Sequence, residues 1–178
     1  MVAIAPISIT LIFIVIPKIW HKMKKKKPTA PDKVPGGDYV LKHFKLSEFD
    51  SKGKGEEGSG VNMKKSTLEM LDKARGNANI PFVIRSGYRT AAHNEAEGGV
   101  KNSAHTKGYA ADIACTDATR DNILKALYNE GFRRFGIGST YIHADNDPSL
   151  PQTVWGYPCK SNSCAPAKYN SLAKIAAL

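Results

Sequence analysis

Residues 103–112 read SAHTKGYAAD and place a histidine and an aspartate, His105 and Asp112, seven positions apart. Imidazole nitrogen and carboxylate oxygen both ligate zinc, at about 2.0–2.2 Å. Gly108 lets the chain turn between the two, and the small Ala110 and Ala111 let a strand bearing Asp112 pack closely into a core. A third candidate ligand is His143, in YIHAD. If that segment is extended, Tyr141, His143 and Asp145 point to one face. Three protein ligands leave a fourth tetrahedral position for water, which is the catalytic arrangement of zinc. Histidine is also common as a surface or hydrogen-bonded core residue, and this chain has five. Spacing alone leaves that alternative open.

Several elements are needed to position these groups. Leu68, Leu71 and Ala74 fall on one face of a helix over residues 67–75. Residues 81–85, PFVIR, read as a buried strand entering a turn at Ser86 and Gly87. Residues 120–130 read as a second amphipathic helix, with Ile123, Leu124, Leu127 and Tyr128 as its apolar stripe and Gly131 as its stop. Residues 135–144 read as two short strands around Gly138, and the Gly-rich stretch 51–60 as a polar surface loop. Short strands and helices without regular βαβ alternation point to an α+β domain.

The 178 residues carry a net charge of +10. Six lysines within residues 1–27 account for much of it, and without them the balance falls to +4. A nucleic-acid partner is therefore not expected, and no obligate protein partner is evident. Three cysteines do not make a disulfide framework. Cys159 and Cys164 are close enough to pair in an oxidising compartment or to remain free thiols, and Cys115 reads as a small apolar core residue.

The apolar run 2–20 is just long enough to cross a bilayer and is followed by the lysines. An uncleaved anchor is preferred to a signal peptide, because the positive charge follows the apolar stretch and no small-residue cleavage site precedes it. The expected organisation is a transmembrane segment over 1–20, a basic Pro/Gly linker over 21–38, a domain over 39–158 and a C-terminal extension over 159–178. This makes the protein a single-pass, membrane-anchored one. The lysine distribution argues for a cytoplasmic domain, whereas a cell-wall substrate needs it on the outer side.

SAHTKGYAAD matches the S-x-H-x-x-G-x-A-x-D signature of the M15 zinc peptidases at every specified position. The chain is similar to the same family, in its H-x-D subgroup, at FKLSEFD (44–50), NMKKSTLEMLDKAR (62–75), SGYRT (86–90), HNEAEGGVKNS (93–103) and GIGSTYIHAD (136–145). The resemblance covers roughly residues 43–157. It implies the compact α+β fold shared with the hedgehog signalling domain, with zinc on a small antiparallel sheet. It further implies hydrolysis of peptidoglycan stem peptides, as a D-Ala-D-Ala carboxypeptidase or as an endopeptidase that cuts L-Ala-D-Glu or a cross-link.

Carried onto this chain, the resemblance makes His105, Asp112 and His143 ligands of one Zn2+. Arg89 would steady the substrate carbonyl, with a salt bridge in the turn as its structural alternative. Ser103 would bind substrate or cap its loop, with Arg85 and His93 nearby. Many family members carry an acid three residues before the last histidine, where this chain has Thr140. That leaves Asp145 as general base or as an orienting partner of a ligand, with Asp147 next in line. A non-catalytic, zinc-containing cell-wall-binding module is the competing reading, and lipid binding by Lys24–Lys27 a further one.

Overall fold

The computed structural model describes residues 32–157 and 167–178. In chain order the elements are α1 (Lys65–Ala78), β1 (Ile84–Ser86), α2 (Ala91–Ala96), β2 (Ala110–Ala114), α3 (Asp117–Asn129), β3 (Arg134–Ile137), β4 (Tyr141–Asp145), β5 (Thr153–Gly156) and α4 (Leu172–Ala176). Short 3₁₀ turns occupy Leu46–Phe49, Ser59–Asn62 and Ala167–Tyr169.

The strands form one sheet in the order β1-β2-β4-β3-β5. The first four are antiparallel, as expected, but β5 runs parallel to β3. One chain reversal after β4 makes β5 antiparallel to β4, and therefore parallel to the β3 strand between them.

Alternation across the strands separates two chemistries. Ala111, Ile113, Phe135, Ile137, Ile142 and Ala144 face a continuous apolar core. Helix α1 closes it with Leu68, Leu71 and Ala74, and α3 with Ile123, Leu124 and Leu127, all six nearly inaccessible to solvent. The opposite face carries Asp112, His143, Asp145 and Arg134, brought side by side by the β2–β4 and β3–β4 registers.

Both helices end where the sequence allows. Asn79 takes a left-handed φ of 51°, and its N–H reaches back to the Arg75 carbonyl. After α3 the chain turns at Gly131, whose φ of 105° favours glycine. Buried Arg120 on α3 donates to the Ser139 carbonyl at 2.5 Å and to Asp117 at 2.6 Å, which fixes the β3–β4 turn to the helix. Buried Asp72 on α1 accepts from the N–H groups of Lys42 and His43 and from the Tyr39 hydroxyl, tying the entering chain to the same helix.

Several expectations are adjusted. The strand expected over 81–85 begins only at Ile84; Phe82 is buried, but Val83 is exposed. The 51–60 loop is anchored at both ends, since Asp50 accepts from Gly58 and Gly60, and Ser51 and Gly60 are buried. Val34, within the stretch read as linker, lies in the core, and Lys33 bridges to Val40. At the other end Tyr169 and Ile175 are buried, with Tyr169 donating to Asp121 on α3. Cys115 belongs to the core, whereas Cys159 and Cys164 lie outside the described residues.

The expected single-pass membrane arrangement is corrected. Among the described residues no helix is long and apolar enough to cross a membrane; the longest, α1, has 14 residues. The apolar run 2–20 lies outside the described residues.

Candidate metal centre and its cleft

Asp112 on β2 and His143 on β4 are direct cross-strand partners. His105 approaches from the loop before β2. Gly108 shapes that loop: it has a φ of +79°, and a Cβ there would overlap the Asn62 carbonyl oxygen. Its own carbonyl accepts from Lys64 N–H at the start of α1. Only glycine meets both demands. Ala110 and Ala111 are fully buried, so the strand that presents Asp112 packs without a gap.

Three ligand atoms converge. His143 Nδ1 lies 3.0 Å from Asp112 Oδ1 and 3.1 Å from His105 Nε2, and His105 Nε2 lies 3.3 Å from Asp112 Oδ1. A tetrahedral ion with bonds of about 2.0–2.2 Å spaces its ligand atoms about 3.4 Å apart. The donor set therefore fits one zinc ion with a small expansion. All three residues are buried.

The imidazoles are set for this role from behind. His105 Nδ1 lies 2.7 Å from the Gly87 carbonyl oxygen, an acceptor, so Nδ1 carries the proton and Nε2 turns its lone pair inward. His143 Nε2 lies 3.0 Å from Asp145 Oδ2, which likewise frees Nδ1. Two lone pairs and a carboxylate oxygen this close together require a cation. Without metal, a proton on His143 supplies it. Burial opposes that charge, but hydrogen bonds to Asp112 and Asp145 outweigh burial and push the His143 pKa up to about 9. Burial holds the pKa of His105 below its ordinary value. Asp112 is opposed by burial too, but its close contacts with the two histidines, the proton on His143 among them, hold it well below the usual carboxylate range.

The other residues singled out in the sequence take these places. Arg89 donates from NH2 to Asp112 Oδ2 at 2.8 Å and from Nε to Ser86 Oγ at 2.8 Å. It therefore grips the carboxylate oxygen opposite the one that faces the histidines, while also lining the cleft. Ser103 Oγ accepts from His105 N–H at 3.3 Å, a loop-capping contact, and Ser103 also lines the cleft. Asp145 sits behind His143. Its oxygens take Arg134 Nε at 2.9 and 3.1 Å, and Oδ1 also takes the Asp147 N–H. Asp147 is held by Lys107 and Ser149 and does not line the cleft. Thr140 accepts from Arg85. His93 Nδ1 lies 2.8 Å from Ser51 Oγ and 3.2 Å from the Lys52 N–H, on the cleft wall.

The cleft has a volume of about 1010 Å³. One wall is aromatic: Trp155 stands 5.4 Å from the His143 ring, with Tyr157 and Tyr141 beyond it. Gly136 makes room, because a Cβ there would strike both the Trp155 and Tyr157 rings. Sequence reasoning missed Arg134, Trp155 and Tyr157. The alternation in TVWGY would have put Trp155 and Tyr157 on one face, but nothing local shows that β5 pairs in parallel with β3.

The family model for Peptidase M15 matches residues 42–145, more than half of the chain. The match takes in His105, Asp112 and His143. A search of curated proteins gives no match.

Proposed function

Because the chain belongs to the M15 peptidase family, we propose that it is a zinc peptidase that hydrolyses peptide bonds in the stem peptides of bacterial peptidoglycan, as a carboxypeptidase or an endopeptidase. One observation carries the reading: three buried ligand atoms meet at 3.0–3.3 Å beside an open cleft, with both imidazole tautomers set from behind. One zinc ion held by His105 Nε2, Asp112 Oδ1 and His143 Nδ1 would supply an activated water and polarise the amide carbonyl.

The chain's own residues orient the ligands, the carbonyl and the substrate. The Gly87 carbonyl and Asp145 hold the imidazoles in the ligating tautomer. Asp145 is thereby a positioning residue rather than the proton acceptor, since each of its oxygens already takes a donor. Arg89 keeps Asp112 oriented and offers its remaining N–H groups to the carbonyl oxygen as negative charge develops there. Ser103 fixes the loop that carries His105. Tyr141, Trp155 and Tyr157 cover the apolar parts of the peptide. Arg85, Arg89, Arg134, Lys52 and Lys101 line the cleft against few acids, which suits a substrate rich in carboxylates.

The test is incubation of the zinc-loaded protein with purified peptidoglycan and assay of newly freed amino groups. Release that a chelator stops supports the peptidase. Binding to the wall without release, by a folded and metal-loaded protein, supports the non-catalytic module instead, with Thr140 in place of an acid as its basis.

A further inference from the structure

The β1–β2 register contains an irregularity with one residue at its centre. Ile84 pairs with Ile113 and Ser86 pairs with Asp112, so β1 spends two steps where β2 spends one. Arg85 is the extra residue of a β-bulge. In a regular strand Arg85 and Ser86 would point to opposite faces. Here both line the cleft. Bulges next to active sites re-aim a side chain in this way.

The guanidinium delivered by the bulge is held in place. Its NH1 donates to Thr140 Oγ1 at 2.9 Å, and its carbon lies 5.9 Å from the centre of the Tyr141 ring. Tyr157 continues this floor, 5.2 Å from Tyr141. The other two arginines of the cleft are already paired, Arg89 with Asp112 and Arg134 with Asp145. Among the described residues, no carboxylate lies within ion-pair distance of Arg85, and the residue is exposed. Lys52 and Lys101 are exposed on the rim as well, but Arg85 is the cation whose position the fold fixes.

We propose that Arg85, with Tyr141 and Tyr157, forms a subsite that binds an ionised carboxylate of the substrate peptide beside the scissile amide and so sets specificity. This rests on the peptidase reading of the same cleft. A guanidinium with free N–H groups takes a carboxylate in a two-pronged hydrogen bond that a neutral carboxamide cannot reproduce. The tyrosine rings give the adjoining methylene groups an apolar surface.

The experiment uses the stem peptide Ala-γ-D-Glu-Lys-D-Ala-D-Ala in three forms: both carboxylates free, the internal one amidated, and the terminal one amidated. Cleavage is followed with the zinc-loaded full chain, and affinity is measured calorimetrically with the metal-stripped chain, so that binding is read apart from turnover. For the wild type, one of the two amidations should weaken binding about 10- to 100-fold, and in Arg85→Gln the same amidation should cost less than about twofold. Arg85→Lys keeps the charge without the fork and should fall between. Lys54→Gln removes the same charge outside the cleft and should keep the wild-type selectivity. The proposal is overturned if neither amidation matters to the wild type, or if the penalty is unchanged in Arg85→Gln. If no peptide is cut at all, the carboxypeptidase and L-Ala-D-Glu readings fail, while the affinity comparison still decides the role of Arg85.

Discussion

His143 stands between two carboxylates, with Nδ1 3.0 Å from Asp112 Oδ1 and Nε2 3.0 Å from Asp145 Oδ2. One carboxylate shares the ligand cluster with it and the other faces its far side. That arrangement favours orientation of the ring over proton transfer as the role of Asp145, the two roles that the sequence leaves open.

Asp145→Asn should weaken zinc affinity about 10- to 100-fold, the usual cost of removing an acceptor behind a ligating histidine. Competition against a chromophoric chelator measures this. Undiminished affinity together with a lost rate would instead identify Asp145 as the proton acceptor.

Arg89→Lys should lower kcat/KM about 100-fold, because an ammonium cannot reach Ser86 Oγ and Asp112 Oδ2 at once and still offer N–H groups to a developing oxyanion. Circular dichroism should be unchanged. Steady-state kinetics on a soluble stem peptide is the measurement.

Gly108→Ala should destabilise the domain by about 2–4 kcal/mol, since it forces a left-handed backbone on alanine and an overlap with the Asn62 carbonyl. Urea midpoints of the metal-free protein read this directly. A loss below about 1 kcal/mol would mean that the loop relaxes without difficulty.

Without metal, stability should depend on pH through His143. Its folded pKa, about 9, lies above the ordinary histidine value of 6.5. A raised pKa stabilises fully below the unfolded value, and the stabilisation is lost as pH rises through the folded value. The metal-free melting temperature should therefore fall between about pH 6.5 and pH 9, and zinc should suppress the fall by replacing the proton. A melting temperature that is flat over that range would contradict the proton's placement on His143.

Much of this was legible locally. Leu68, Leu71 and Ala74 carried the helical period, and Gly108, Ala110 and Ala111 carried the turn and the tight strand, so His105 and Asp112 could be placed on neighbouring elements. The pairing of Asp112 with His143 follows from the register of two strands about thirty residues apart, which no local pattern states. The bulge at Arg85 was hidden for the same reason: it exists only as a mismatch between β1 and β2. Arg134 directly follows Arg133, and nothing in the local sequence separates the two. Its role depends on β3 lying against β4, which puts it opposite Asp145.

The most direct test of the account is back-titration of zinc into the metal-stripped protein, with peptidoglycan fragments identified by mass spectrometry. Release of stem-peptide fragments should return in step with zinc, saturate at one equivalent, and be absent in His105→Ala. Fragment release that persists in the metal-stripped protein or in His105→Ala, or none from a protein that has taken up its zinc, would contradict it.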